Sequence, residues 1–241
     1  MTYVRSVTMI VIITIGATGC HSLQPANLGS TTAQQSITTS TADGTAPPDT
    51  ADVQIGLGRM YEKQGSRQAA MNAYVAALRH APDHPNAHWR LSVLYDKLGD
   101  FASAEQSFRK SLTLNPLNPD CLCDYGYSLY LQARWQDAEE TLREALSIDH
   151  SHRRSHNILG IIKARHSQFS QANHHFQQAG CTQAECEENI AFAMILDNRL
   201  EQARDHYERA LQLNPQSKKS QDNLEVLTPQ LAERSSGNAL P

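Results

Sequence analysis

Cysteine and histidine are the side chains in this sequence that could do chemistry, either as disulfides or as metal ligands. Beyond Cys20, Cys121 and Cys123 lie two residues apart, so on a helix their side chains point to different faces and no bridge between them is expected. Cys181 and Cys186 are a candidate disulfide in an exported chain, with free thiols as the alternative. A four-cysteine zinc site is not expected, because the two pairs are far apart in the sequence.

The eleven histidines do not form a recognisable metal motif. His152 and His156 are four residues apart, and His80, His84 and His88 lie around a proline-containing turn, but no set of three or four ligands has metal-site spacing. The sequence also lacks a phosphate-binding glycine loop, a nucleophile motif and a paired-carboxylate motif. We therefore predict no metal, no cofactor, no small-molecule substrate, no catalytic residue and no enzymatic activity.

The overall composition favours a polar helical array. The chain of 241 residues has a formal net charge of -4 and 6% aromatic residues, and no block of lysine and arginine stands out. Nucleic acid is not expected as a partner, because phosphate binding needs a concentrated positive surface. A mean hydropathy of -0.50 suits repeats that are stabilised by their neighbours rather than by one thick core.

The elements that position the remaining candidate residues follow a 34-residue unit. The unit 85–118 carries an apolar-small pair, an aromatic, an alanine, a second aromatic and a proline at fixed positions: Leu91, Ser92, Tyr95, Ala104, Phe108 and Pro116. This pattern resembles the tetratricopeptide repeat. The same pattern recurs in the units 51–84, 119–152, 153–183 and 184–217. Position 20 of every unit is alanine, at Ala70, Ala104, Ala138, Ala172 and Ala203.

The resemblance implies an all-α fold, a right-handed superhelix of about five helix pairs. In each pair the first helix is called helix A and the second helix B. The unit 153–183 is three residues short, and Gly180 is suited to the left-handed C-cap that would end its helix B early. Residues 218–241 are predicted as a capping helix with a loose tail, and Pro229 is expected to end or kink that helix near Thr228.

In tetratricopeptide arrays, helix A residues at fixed positions of the unit line a concave groove that binds a peptide or a helix of a protein partner. The predicted groove residues are Arg59, Lys63, Trp89, Lys97, Tyr127, Tyr130, Asn157 and Phe192. Besides this main set, the same positions include Val93, Asp96, Cys123, Leu131 and Glu188. The alternative for the aromatic members is packing against neighbouring helices.

The N-terminus has the pattern of a targeting segment. An apolar run from Val7 to Ala17 is too short to span a bilayer and is typical of a signal peptide. The residues Thr18-Gly19-Cys20 that follow resemble the lipobox of bacterial lipoproteins, although Ala17 stands where leucine is usual. The resemblance implies a signal peptide over 1–19 and a lipid on Cys20, an ordinary signal peptide being the alternative. Residues 20–50 are rich in small polar residues and are predicted to be a disordered tether.

One segment narrows the family further. Glu187–Met194, followed by Asn198–Ala203, resembles the C-terminal repeat of TadD, the tetratricopeptide lipoprotein of tight-adherence (Flp) pilus assembly. The resemblance implies a lipid-anchored adaptor that binds a secretin or another pilus-assembly component. In Gram-negative lipoproteins an Asp after the lipidated Cys commonly retains the protein at the inner membrane. His21 follows Cys20 here, so the resemblance implies the outer membrane, facing the periplasm. The alternatives are a generic envelope scaffold lipoprotein of another pilus or secretion system, and an enzyme accessory subunit or metal carrier using the histidines.

Overall fold

The computed structural model describes residues 50–237, with side chains to Arg234. The predicted signal peptide, Cys20, the predicted tether up to residue 49 and the last four residues lie outside this range. The described residues form helices joined by short turns, and none of these helices is both long and apolar enough to cross a membrane. The helices are α1 Ala51–Lys63, α2 Arg67–His80, α3 Pro85–Asp96, α4 Phe101–Leu114, α5 Pro119–Leu131, α6 Trp135–Ile148, α7 Arg153–Arg165, α8 Phe169–Gln178, α9 Gln183–Leu196, α10 Leu200–Leu213 and α11 Lys218–Gly237.

The described chain forms two compact units, 50–158 and 159–237, which we call the first and the second unit. In the first unit α1 packs on α2, α3 on α4, and α5 on α6. In the second unit α9 packs on α8 and α10, and α11 packs on α10. The all-α prediction of about five helix pairs followed by a further helix is confirmed. The division falls inside α7, between Ile158 and Leu159, where the repeat pattern marks no boundary.

The two helices of each pair approach closely because small residues lie where they meet. The alanine at position 20 is 0% exposed in every repeat. A Cβ added to Gly58 would lie 2.5 Å from Cε1 of Tyr74, and one added to Gly160 would lie 2.6 Å from Cε1 of Phe176. Position 8 of helix A thus receives the large side chain at position 24 of helix B, in both units.

Each turn between helix A and helix B contains a residue in the left-handed region. Gly65 and Gly99 take φ values of 73° and 76° at this position. In the later repeats the same position is occupied by Ala133, Ser167 and Asn198, with φ values of 57°, 60° and 59°. A side chain in this region is strained, so the turn geometry is imposed by the helix packing and not by glycine alone.

The shortened repeat is accommodated at the end of α8. Gly180 has a φ of 90°, its amide N–H donates to the Gln177 carbonyl at 2.8 Å, and the Cys181 N–H donates to the Phe176 carbonyl at 3.0 Å. The predicted left-handed C-cap at Gly180 is therefore confirmed. Helix α9 then begins with a capping box between Thr182 and Glu185, which restarts the repeat within a few residues.

Helix α11 runs through Pro229 to Gly237, so this proline does not end the helix near Thr228, and the alternative of a kink there stays a prediction. The proline removes one backbone donor, yet the helix on its N-terminal side is held by buried contacts. Leu227 is 4% exposed and Ser220 is 0% exposed. Packing of this helix against α10 outweighs the loss of one hydrogen bond.

Candidate functional site

Charged and aromatic side chains of the A helices are joined across the first unit, and we call this surface the A face. Its members come from α1, α3, α5 and the first residues of α7. The A face comprises Glu62, Trp89, Arg90, Asp96, Asp124, Tyr127 and Arg154.

Asp124 is the central acceptor of the A face. Its Oδ2 accepts a hydrogen bond from Nε1 of Trp89 at 2.9 Å, and its Oδ1 accepts one from Nη2 of Arg154 at 2.7 Å. The Asp124 side chain is only 13% exposed. Burial is the largest single effect and acts to lower the pKa of Arg154, but the charge and hydrogen bond of Asp124, together with smaller charge effects, outweigh it, so the pKa of that guanidinium is raised. The three side chains link α3, α5 and α7, and Trp89 is half-buried rather than freely exposed.

Glu62 joins α1 to its two neighbours. Its carboxylate accepts from Nε of Arg90 at 2.9 Å and from the Tyr74 hydroxyl at 2.6 Å, and Nη2 of Arg90 completes a two-point ion pair. Burial alone would raise the pKa of Glu62, but the hydrogen bonds from Arg90 and Tyr74, together with the charges of Arg90 and Lys97, outweigh it, so the pKa is lowered. The Arg90 guanidinium also lies 5.6 Å from the centre of the Trp89 ring.

Asp96, at the end of α3, has a different environment. It is half-buried and accepts a hydrogen bond from Oγ of Ser128 at 2.7 Å. Burial raises its pKa to about 6, and the negative charge of Asp124 contributes in the same direction against the Ser128 hydrogen bond. Asp96 therefore titrates nearer to neutral pH than an ordinary carboxyl group.

The aromatic residues of α5 form a stack. Tyr127 and Tyr130 lie with ring centres 6.0 Å apart and planes at 16°, and Trp135 packs edge-on against Tyr130 at 5.3 Å. Tyr130 is only 9% exposed. Its ring therefore packs beneath the surface and does not line a groove, contrary to the prediction. Tyr127 remains half-buried, and burial raises its pKa.

The other predicted groove residues of the first unit divide by exposure. Arg59, Lys63 and Lys97 are exposed. Asn157 is half-buried, and its Oδ1 is buried without a hydrogen-bond partner in the described part of the chain. Cys123 is 0% exposed and therefore belongs to the helix packing and not to a groove.

In the second unit the A-helix residues of α9 are mostly apolar. Phe192 and Ile195 are half-buried, and Leu196 is 45% exposed. Glu188 was predicted to line the groove, but it is 6% exposed and holds the start of α11. Its carboxylate accepts hydrogen bonds from Ser217 and, at 2.9 Å, from Oγ of Ser220. Glu188 thus has a structural role.

The predicted Cys181–Cys186 disulfide is wrong, because Cys186 is a free thiol. Its Sγ faces the Cys181 carbonyl oxygen at 4.0 Å, whereas the Sγ of Cys181 accepts from Nδ2 of Asn189 at 3.5 Å. Cys121 and Cys123 are also free thiols, and burial raises their pKa values to about 12 and about 11. Among the described residues, no group of three or more His, Cys, Asp or Glu side chains is placed to hold a metal ion.

The residues that sequence reasoning missed are Arg90 and Asp124, which both occupy position 6 of their repeats. The alternation of charge between successive A helices could have indicated these two residues. Residues of opposite charge occur at position 12 of the first repeat, position 6 of the second and third, and position 2 of the fourth, which are Glu62, Arg90, Asp124 and Arg154. Such alternation predicts ion pairs between neighbouring A helices.

Comparison with known proteins agrees with this architecture. Residues 55–119 and 95–154 match the family model described as tetratricopeptide repeat. The chain is similar to the type IV pilus assembly protein PilF of Pseudomonas aeruginosa, with 25% identity over 173 residues. That match covers 71% of this chain and 64% of the relative, which is less than two thirds of its length.

Solved structures show the same fold. A structure from a functional characterisation of P. aeruginosa PilF has a TM-score of 0.56 and 23% identity, covering 78% of this chain and 92% of that chain. The structure of YrrB, described as a tetratricopeptide-repeat protein with an unusual peptide-binding site, has a TM-score of 0.54 and 16% identity, covering 71% and 90%. The fold of this chain is therefore the tetratricopeptide-repeat fold.

Proposed function

We propose that this tetratricopeptide-repeat protein is a lipid-anchored envelope adaptor that binds a protein partner on the A face during pilus assembly. The observation that carries the binding role is the connected surface of Trp89, Asp124 and Arg154. Half-buried aromatic and arginine side chains held by hydrogen bonds are the usual anchors of protein interfaces, because their geometry is set before the partner arrives. The role is binding without chemistry.

Two separate likenesses support pilus assembly. The similarity to PilF favours a type IV pilus, and the segment Glu187–Ala203 with its likeness to TadD favours a tight-adherence pilus. We assign the tight-adherence system as the finer proposal and the type IV system as the second candidate. In either system the proposed partner is an outer-membrane secretin or another assembly component.

Anchoring is the second part of the proposal. Cys20 would carry the lipid, and residues 20–50 would hold the folded units away from the outer membrane on its periplasmic side. Replacement of Cys20 by serine should release the protein from the membrane fraction. If the Cys20→Ser protein stays in that fraction, the anchor is not on this residue.

The decisive experiment is a crosslinked pull-down from the native envelope, analysed by mass spectrometry for secretins. Wild type is compared with Tyr127→Ala and Asp124→Asn on the A face, and with Leu196→Ser on α9 as the matched control. We expect a secretin of the tight-adherence system with wild type and the control, and at most about one tenth of it with the two A-face variants.

Each other outcome has a distinct meaning. A type IV secretin would replace the first assignment by the second candidate. If all four proteins capture the secretin equally, the binding site lies elsewhere than on the A face. If wild type enriches no envelope protein at all, the adaptor role is contradicted. Stoichiometric metal in the purified protein would instead favour the metal-carrier alternative.

A further inference from the structure

Asp96 differs from the other carboxylates on the A helices of the first unit because it has no cationic partner. Within the described residues no Lys, Arg or His side chain forms an ion pair with it, and Ser128 Oγ is its hydrogen-bond donor at 2.7 Å. The other four carboxylates each have an arginine or histidine within reach, in the pairs Asp52–His84, Glu62–Arg90, Asp120–His152 and Asp124–Arg154.

Aromatic and apolar residues lie close to Asp96 in the sequence of α3 and close to its hydrogen-bond donor Ser128 in the sequence of α5. Tyr127 on α5 lies close enough for the charge of Asp96 to raise its pKa, in addition to the larger effect of burial. The Tyr127 hydroxyl has no hydrogen-bond partner in the described part of the chain. Val93 lies one turn before Asp96 and is half-buried, and Leu131 lies one turn after Tyr127 and is 47% exposed. Helical spacing places each pair on one face of its helix.

We infer that Asp96 and Tyr127 form a subsite for a lysine or arginine side chain of the partner protein. A carboxylate supplies the charge-assisted hydrogen bond, the ring face attracts the cation, and Val93 and Leu131 suit the apolar stem of a long basic side chain. This inference rests on the proposed function and names the chemistry of its partner.

The distribution of other charges specifies the partner segment further. Lys97 on α3 and Lys63 on α1 are exposed. The positive charge of Lys97 helps to lower the pKa of Glu62, which is already paired with Arg90. A segment rich in basic residues would be repelled there. The segment that fits carries one basic residue at Asp96, with apolar or acidic neighbours.

The subsite should depend on pH in a defined direction. Because burial raises the pKa of Asp96 to about 6, its carboxyl group is ionised at pH 7.5 and protonated at pH 5. The titratable groups of this part of the A helices are Lys97 on the helix of Asp96, Asp124 and Tyr127 on α5, Arg154 on α7, and Glu62 and Lys63 on α1, and among them the charge of Asp124 raises the pKa of Asp96. Of these, Glu62 and Asp124 are each paired with an arginine, Arg90 and Arg154, whereas Asp96 has its hydrogen bond from Ser128. Binding of a basic side chain should therefore be present above pH 6 and be lost below it.

A phage-displayed library of random twelve-residue peptides tests the inference on the protein with residues 20–241. Selection is run at pH 7.5 on wild type, on Asp96→Asn, and on Asp83→Asn as control. Asp83 is a loop aspartate whose side chain is 71% exposed. We expect peptides enriched in a single lysine or arginine next to apolar residues from wild type and control, and no such enrichment from Asp96→Asn.

Affinity measurements on a selected peptide complete the test. Replacing its basic residue by norleucine, or using Asp96→Asn with the original peptide, should each weaken binding about tenfold, and combining the two changes should add little. Binding should also weaken about tenfold between pH 7.5 and pH 5. Circular dichroism of each variant establishes that it is folded.

The failures of the two proposals are distinguishable. If no peptide is selected by wild type, the adaptor function on the A face fails and the inference fails with it. If peptides are selected but lack a basic residue, or bind Asp96→Asn equally, only the inference fails. A concentration-dependent dimer that Asp96→Asn abolishes would replace the separate partner by a second copy of this chain.

Discussion

The first and second units use the same repeat scaffold but present different side chains on their A helices. In the first unit, hydrogen bonds connect Glu62 to Arg90, and Asp124 to Trp89 and Arg154. In the second unit, α9 carries Phe192, Ile195 and Leu196. The difference teaches that positions 8, 20 and 24 of the repeat build the scaffold, while positions outside that set decide what a surface can recognise.

The largest difference between the units is expected at position 6 of the repeat. Asp124→Ala should lower the free energy of unfolding by about 2–3 kcal/mol, because two half-buried donors lose their acceptor. The counterpart in α9 is Asn189, whose amide donates to the sulfur of Cys181 at 3.5 Å. Asn189→Ala should cost less than about 1 kcal/mol. Urea unfolding followed by circular dichroism measures both, and equal losses would contradict the contrast between the units.

The scaffold positions should instead give equal effects in the two units. Gly58→Ala in the first unit and Gly160→Ala in the second should each cost about 1–3 kcal/mol, because the new methyl group meets a buried ring. Gly56, also in α1, has no atom within 4 Å of an added Cβ. Gly56→Ala should stabilise the protein by up to about 1 kcal/mol through helix propensity. Unequal costs at Gly58 and Gly160 in thermal unfolding would show that the scaffold is not shared.

Asp96, on the A face of the first unit, should make the free energy of unfolding depend on pH. Because its pKa rises from 3.8 to about 6 on folding, stability is fully present below about pH 3.8 and falls as the pH rises through 6. Asp96→Asn removes this loss, so it should stabilise the protein at pH 7 by roughly 1 kcal/mol after solvent screening, or about 2–4 °C in Tm. Calorimetry should show this gain at pH 7 and none at pH 3.5. A gain at both pH values would mean that the carboxylate charge is not its cause.

The smallest effect is expected on the apolar surface of the second unit. Leu196 is 45% exposed, so Leu196→Ser should change the free energy of unfolding by less than about 0.5 kcal/mol. It should also leave secretin capture unchanged, as measured by the crosslinked pull-down. Loss of capture would move the binding site from the A face to α9.

The fold could be predicted from the sequence because its determinants are local and repeated. The alanine at position 20 and the glycine at Gly180 have a defined steric role that does not depend on distant residues. For this reason the helix pairs and the early end of α8 were predictable. Pro229 was misjudged because packing of α11 against α10 outweighs a local rule.

The site was less predictable because it depends on pairing between repeats. Family positions predicted Trp89 and Tyr127 as groove residues, and both are half-buried, but they also included Cys123 and Glu188, which are buried. Whether a side chain at such a position faces solvent depends on its neighbours in the next helix. Glu188 accepts hydrogen bonds from Ser217, the last residue of the last repeat, and from Ser220, which lies beyond that repeat.

The position of the two tryptophans has a spectroscopic consequence. Trp89 and Trp135 both lie in the first unit, and residues 159–237 contain none. Intrinsic tryptophan fluorescence therefore reports on the first unit alone, whereas far-ultraviolet circular dichroism reports on the helices of both. Superimposable denaturation curves from the two signals would indicate concerted unfolding, and separated curves would give each unit its own midpoint without any introduced label.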